Sequence, residues 1–215
     1  MEIIDFCDSF DNSVTYLIKN NNKAIVVDPA NDIRIMEKYL DGVEILGIFL
    51  THGHYDHFKE LDSLLKVHKS IVYLHQQALN KLANKELSCA VYFGSDKEIK
   101  LDEGNYYLLK DRETLNIGGM SIKILYLPGH TNCSIGLLIG KDLFSGDVLF
   151  SNSVGRYDLP TGSFSATLST INTLKKMDEN ITIHPGHESS FKLSTAKVNN
   201  SYMNKWSLRA SFFNN

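Results

Sequence analysis

The side chains best suited to chemistry are gathered in one short segment, Thr51-His52-Gly53-His54-Tyr55-Asp56-His57, which holds three of the chain's 8 histidines. In an extended backbone, residues two apart point to the same side, so His52 and His54 are placed to bind one ion together. Gly53 is read as the residue that lets the backbone bend tightly between them. Asp56 and His57 fall on the following turn, displaced enough to face a second ion. Three more candidates stand alone beside Gly or Pro: His130 in Pro128-Gly129-His130, Asp147 in Ser145-Gly146-Asp147, and His187 in His184-Pro185-Gly186-His187. Imidazole and carboxylate without thiolate suit Zn²⁺, and also Fe or Mn. The set exceeds what one tetrahedral zinc accepts, so the count argues for two divalent ions. A lone histidine is more often structural, and His68 and His75, which lack such company, are read that way. The 52–57 cluster resists that reading, because buried polar groups this dense need partners.

Each candidate closes a strand-like run, and strand ends are where a rigid sheet presents functional side chains. The spacing predicts strands over 14–18 and 24–27, separated by Asn20-Asn21-Asn22 and stopped at Asp28-Pro29. A buried strand over 44–50 leads directly into Thr51. Strands over 70–74, 120–127, 135–139, 143–144 and 181–183 follow. Helical spacing is predicted over 32–40, 58–68, 76–86 and 165–177. The tail, 194–215, is read as a terminal helix with a frayed end. Mixed β and α order argues a layered α/β architecture. No stretch resembles a linker, so one domain over 1–215 is expected.

At 215 residues and 43% hydrophobic, the chain suffices for one domain with a sizeable core. A net charge of −3 with scattered charges excludes nucleic acid or an anionic membrane as the main partner and leaves a small-molecule substrate. The three cysteines, Cys7, Cys89 and Cys133, are too few and odd for a disulfide framework and fit a reducing cytosol. The start lacks an apolar signal segment, and no apolar run approaches the ~20 residues of a membrane span, so a cytoplasmic protein is expected. Nothing in the sequence speaks to an oligomeric state.

THGHYDH resembles the HxHxDH signature of the metallo-β-lactamase superfamily. VVDPA (26–30), PGHT (128–131), LFSGDVLF (143–150) and HPGHE (184–188) match further motifs of that family, in the family's order. The resemblance spans residues 14–188 and implies a four-layer αββα sandwich with the metals in a cleft at one edge of the two sheets. Carried over position by position, it implies that His52, His54 and His130 hold one ion and that Asp56, His57 and His187 hold the other. Asp147 would bridge them. Asp28 matches the family's structural Asp near the cleft; its other reading is a strand-ending turn residue before Pro29.

Within the superfamily, Asp147 sets the chain apart from true β-lactamases of this fold, which lack a bridging Asp there. Flavodiiron proteins carry Glu where this chain has His54, and the nuclease branches carry large inserted domains. The nearest likeness is to the short, single-domain relatives of glyoxalase II-like thioester hydrolases, whose GRxDxPxG loop resembles residues 155–162. That makes Arg156 and Asp158 the substrate-contact candidates, paired across their loop. Full-length glyoxalase II adds a C-terminal helical domain with basic residues for glutathione, for which this chain has no room. Lys192, Lys197, Lys205 and Arg209 form no matching motif, so another thioester, ester or lactone stays open. Cys133 stands where the family more often has Gly and is read as a small buried hydrophobe, its alternative being a thiol at the cleft.

The implied reaction is hydrolysis by a hydroxide that two ions make available near neutral pH, with Asp56 orienting it. A leaving thiolate needs little help from an acid. Two other readings remain: a mononuclear-iron persulfide dioxygenase using a subset of the same ligands, and a non-catalytic metal-dependent binding protein.

Overall fold

Both faces of the strand Val14–Asn20 (β2) are buried: Tyr16 and Ile18 point one way and Leu17 the other. Lys23–Val27 (β3) and Glu44–Phe49 (β4) are buried on both faces in the same manner. Strands covered on two sides read as continuous apolar runs rather than as alternation. Glu2–Cys7 (β1), Ile71–His75 (β5) and Tyr106–Leu109 (β6) complete a six-stranded sheet in the order β1-β2-β3-β4-β5-β6. It is antiparallel as far as β3 and parallel from β3 to β6. The second sheet holds Thr114–Ile117 (β7), Met120–Tyr126 (β8), Ile135–Ile139 (β9), Asp142–Gly146 (β10), Thr182–Pro185 (β11) and Phe191–Lys192 (β12). Its order is β12-β11-β10-β9-β8-β7, with only β10 and β11 parallel. This computed structural model describes residues 1–204.

Three apolar clusters define the layers. Between the sheets, Tyr16, Ile25 and Phe49 meet Ile122, Leu137 and Phe144. On the outer face of the first sheet, Leu17, Val26 and Ile48 pack against the helices Ile33–Met36 (α1), Leu61–Val67 (α2) and Gln76–Leu82 (α3) through Met36, Leu64 and Ala78. On the outer face of the second, Leu143 and Ile183 pack against Phe164–Leu174 (α4) and Leu193–Asn199 (α5) through Ile171, Leu174 and Leu193. The expected αββα sandwich is therefore present. Parallel neighbours need crossovers, and α1, α2, α3 and α4 supply them. The loops that leave the carboxyl ends of β3, β4, β10 and β11 gather at one edge, the usual place for a site in a parallel sheet.

The predicted strands appear within a few residues of their expected bounds. The helical spacing over 32–40 yields only one turn of α1 and a 3₁₀ turn, Glu37–Tyr39, and the helix expected over 76–86 stops at Leu82. Four strands were not anticipated: β1, β6, β7 and β12. All four are sheet edges and only half covered, so their apolar pattern is weak. Within the expected tail helix, α5 covers 193–199; Lys205 and Arg209 lie outside the described residues. Among the described residues, no helix is long and apolar enough to cross a membrane.

Candidate metal centre

Leaving β4, the chain bends at Thr51 and His52, is extended at His54 and then closes into a 3₁₀ turn over Tyr55–His57. That change of conformation splits the cluster as its spacing suggested. One ligand-capable atom each from His52, His54 and His130 lie within 4.8 Å of one another, and so do those of Asp56, His57 and His187. Asp147 stands between the two trios. Its Oδ1 is 3.3 Å from His57 Nε2, and its Oδ2 is 3.3 Å from His187 Nε2 and 3.6 Å from His130 Nε2. The structure thus brings together all the residues singled out as ligands. Gly53 has a different purpose from the one expected. It has no left-handed backbone; a Cβ there would lie 2.7 Å from the Cβ of Lys81 on α3, so glycine is required for close packing of that helix. Gly186 serves similarly, since a Cβ would strike Asp147 Oδ1 and lie 2.7 Å from His57 Cε1.

The outer nitrogens of His52, His57, His130 and His187 are fixed. His130 Nδ1 donates to the carbonyl of Arg156 at 2.7 Å and His187 Nδ1 to that of Asp11 at 3.1 Å. A carbonyl only accepts, so the proton sits on Nδ1 and Nε2 is left facing the centre. Asp28 controls one histidine of each trio. Its carboxylate takes the Thr51 backbone N–H at 2.7 Å and the Thr51 hydroxyl at 2.6 Å. The hydroxyl, its proton so committed, accepts from His52 Nδ1 at 3.1 Å. The same carboxylate holds His57 Nδ1 at 3.1 Å. Asp28 is also left-handed, φ +52°, so both readings of it hold: it ends the strand and it orients the cluster.

Burial, reinforced by neighbouring histidines, pushes His52 and His54 well below the ordinary imidazole value, and burial lowers His130 as well. Their lone pairs are free at neutral pH. Burial would also lower His57 and His187, but Asp56 and Asp147 outweigh it. His57 is raised well above its ordinary value and His187 to about 10. Asp147 is held well below the carboxylate range: burial opposes this, and the charges of His57 and His187 overcome it. Protons on the second trio therefore stand where cations would balance the two carboxylates.

The donor set fits divalent cations. His52 Nε2, His54 Nε2 and Asp147 Oδ1 are buried without a hydrogen-bond partner, although buried polar atoms are normally paired. His54 Nδ1 and His130 Nε2 face each other at 2.9 Å, and His57 Nε2 and His187 Nε2 at 3.2 Å. Pairs of ring nitrogens aimed at one point are what an ion between them would satisfy.

Above the centre lies a cleft of about 630 Å³. His54, Asp56, His130, Asp147 and His187 floor it, while Cys89, Tyr92, Phe93, Phe150, Val154 and Leu159 wall it. Arg156 sits at its mouth, bound through Nε and an Nη to both oxygens of Asp158 at 3.0 Å each, as expected for that pair. Asp158 itself lines an adjoining hollow. Cys133 is fully buried in the outer core of the first sheet and does not line the cleft. The cysteine that does is Cys89, unforeseen because nothing around it in sequence marks it. His75 caps α3 and stacks on Tyr126, and the backbone N–H of His68 closes α2, in keeping with structural roles. His184 turns away from the centre, donating to Asp142 and accepting from Ser190 Oγ.

A fold of this kind, with histidines and aspartates converging at the carboxyl ends of its strands, defines a metal-dependent enzyme class. A profile of the metallo-beta-lactamase superfamily matches residues 8–187, and the chain belongs to that superfamily. It is 30% identical over 199 residues to the probable metallo-hydrolase YqgX of Bacillus subtilis (strain 168), covering 90% of this chain and 93% of that protein. It is 31% identical over 175 residues to hydroxyacylglutathione hydrolase 1 of Vibrio vulnificus (strain YJ016), covering 80% of this chain but only 61% of that relative's length. The crystal structure of BLEG-1 B3 metallo-beta-lactamase superposes with a TM-score of 0.86 at 26% identity, covering 94% of this chain and 100% of that one.

Proposed function

We propose that this chain, acting as one domain over residues 1–215, hydrolyses small thioesters at a centre of two divalent cations, with zinc the expected ion. The convergence of the two trios on Asp147, with the unpartnered buried atoms of His52, His54 and Asp147, carries the proposal. His52, His54 and His130 would hold one ion, Asp56, His57 and His187 the other, and Asp147 would lie between. When bound, such ions acidify a water and polarise a carbonyl. The chain's own part is to present neutral imidazoles at His52, His54 and His130, to keep the carboxylates ionised, and to aim Asp56 at the proton that leaves the attacking water. Water supplies the new C–O bond, the C–S bond breaks, and the thiolate takes up a proton from solvent. No carboxylic acid outside the centre lines the cleft among the described residues, which suits a thiol leaving group, with its pKa of about 8.5, better than an alkoxide. A cyclic amide is the second reading, supported by the likeness to the protein called BLEG-1 B3 metallo-beta-lactamase.

Elemental analysis of purified protein, run beside a panel of small thioesters and a chromogenic β-lactam, tests this. Expected are about two ions per chain, thioester cleavage above β-lactam cleavage, and a loss of about a hundredfold or more in kcat for Asp56→Asn. A single iron with oxygen uptake on a persulfide would overturn the hydrolase reading. Near-full activity of Asp56→Asn would overturn the role given to that residue.

A further inference from the structure

The cleft wall is apolar, preformed and short of positive charge. Phe150 is held by its turn: Asn200 Nδ2 donates to the carbonyls of Phe150 at 3.0 Å and Ser153 at 2.7 Å, and Glu188 accepts from the Ser151 N–H at 2.5 Å. Tyr92 and Phe93 sit on a 3₁₀ turn, Ala90–Phe93, entered through a left-handed Cys89. The neighbouring Ser88 carbonyl ties this turn to the ligand segment by accepting from the Tyr55 N–H at 2.8 Å, and the Phe93 ring lies 5.6 Å from that of Tyr55. Tyr92 is 69% exposed at the rim, beside Val91, which is 41% exposed. Preformed apolar walls over a few converging polar groups are how small-molecule sites recognise an organic group.

The cations tell the same story. Arg156 is the only lysine or arginine among the described residues lining the cleft, and Asp158 neutralises it. Lys81, close behind, is 1% exposed and does not line the cleft. Its Nζ donates to the carbonyls of Leu87 at 3.1 Å and Pro160 at 3.3 Å, binding the two wall loops to each other. Lys59, on the other side, is paired with Asp8 and Asp11. A ligand bearing several carboxylates would meet no unpaired cation lining the cleft among the described residues.

We infer that the cleft selects a substrate whose leaving group is apolar and uncharged, an alkyl or aryl thiol, over the anionic tripeptide glutathione. The inference rests on the hydrolase reading above and concerns only what Tyr92, Phe93, Phe150, Val154, Leu159 and the Arg156–Asp158 pair accept.

Two thioesters of lactate test it, one of benzyl mercaptan and one of glutathione. Both leaving groups are aliphatic thiols, so their intrinsic reactivity is comparable. The metal-replete full chain is expected to show kcat/KM about tenfold or more in favour of the benzyl thioester, carried mainly by KM. Tyr92→Ala should shrink that ratio by weakening the apolar side. Asp158→Ala should shrink it from the other side, by freeing Arg156 for an anion and lowering KM for the glutathione thioester. Equal or reversed preference in the unmodified chain overturns the inference and leaves the hydrolase reading standing. If neither thioester is cleaved, the thioester reading fails, and calorimetry with benzyl ethyl sulfide against S-benzylglutathione decides the wall. Tighter binding of the neutral sulfide supports the selectivity; tighter binding of the glutathione conjugate overturns it.

Discussion

His52, His54 and His130 lie side by side with His57 and His187, and the two groups differ in charge. In the first, burial outweighs the pull of Asp147, and the imidazoles are neutral at pH 7. In the second, Asp56 and Asp147 reverse the outcome, although His57 is as deeply buried as His52. Residue type and depth are matched in that pair, so neighbouring charge makes the difference: carboxylates raise His57, and surrounding histidines help lower His52. One half of the centre is a set of ready lone pairs. The other half must release protons before a cation enters, and in exchange offers the cation two negative charges.

Removing the charge that divides the halves has the largest expected effect. Asp147→Asn keeps the size of the side chain and deletes the anion that faces both trios. The purified variant is expected to carry about one ion per chain rather than two, with kcat down by about 10² to 10³. Elemental analysis with steady-state kinetics reads both quantities; two ions retained at normal affinity would show that Asp147 is not the divider.

pH should separate the halves without mutation. Lowering the pH from about 8 to about 6 should weaken the second ion by about tenfold per unit for each proton displaced, and the first ion much less. The sign follows from His187, whose proton is held up to about 10 and must leave on binding, whereas the first trio is already deprotonated. In the metal-free protein the trend inverts. A raised imidazole contributes stability that is complete below about 6.5 and lost as pH rises through about 10, so Tm of the chelated protein should fall over that window. Chelator competition at several pH values, and melts with and without chelator, check the two arms. Parallel pH slopes for both ions would remove the distinction.

The difference in charge was hidden in the sequence, though the membership of the halves was not. The 52–57 cluster was legible because a strand and then a turn at that spacing must divide it, and its density left no bland reading. His130, Asp147 and His187 are single residues scattered over the second sheet; strand ends and family motifs flagged them, and spacing alone could not have paired them. The inner strands β2, β3, β4, β8, β9 and β10 were legible from apolar runs, whereas the four edge strands, half exposed, were not. Gly53 was misread, since a contact with α3 leaves no mark on its neighbours in sequence. Cys89 and the Lys81 bridge between wall loops were missed for the same reason: they are made by carbonyls and packing distant along the chain.

The smallest effect should come from outside the centre and fall on one half only. Lys59 is paired with Asp11 at 2.7 Å and with Asp8 at 3.0 Å, holding the turn after β1 against the segment that follows His57. The carbonyl of that same Asp11 fixes His187 Nδ1. The first trio has no such tie: His130 leans on Arg156, and His52 on Asp28 through Thr51. Lys59→Met keeps most of the apolar stem and removes the charge. An ion pair partly open to solvent is worth about 1 kcal/mol or less, so the loss should be severalfold in the affinity of the second ion, with the first barely moved. Stepwise metal titration of the variant reads the two affinities separately. Equal loss at both ions would mean that the turn supports the whole centre, and that the two halves, distinct in charge, share their mechanical support.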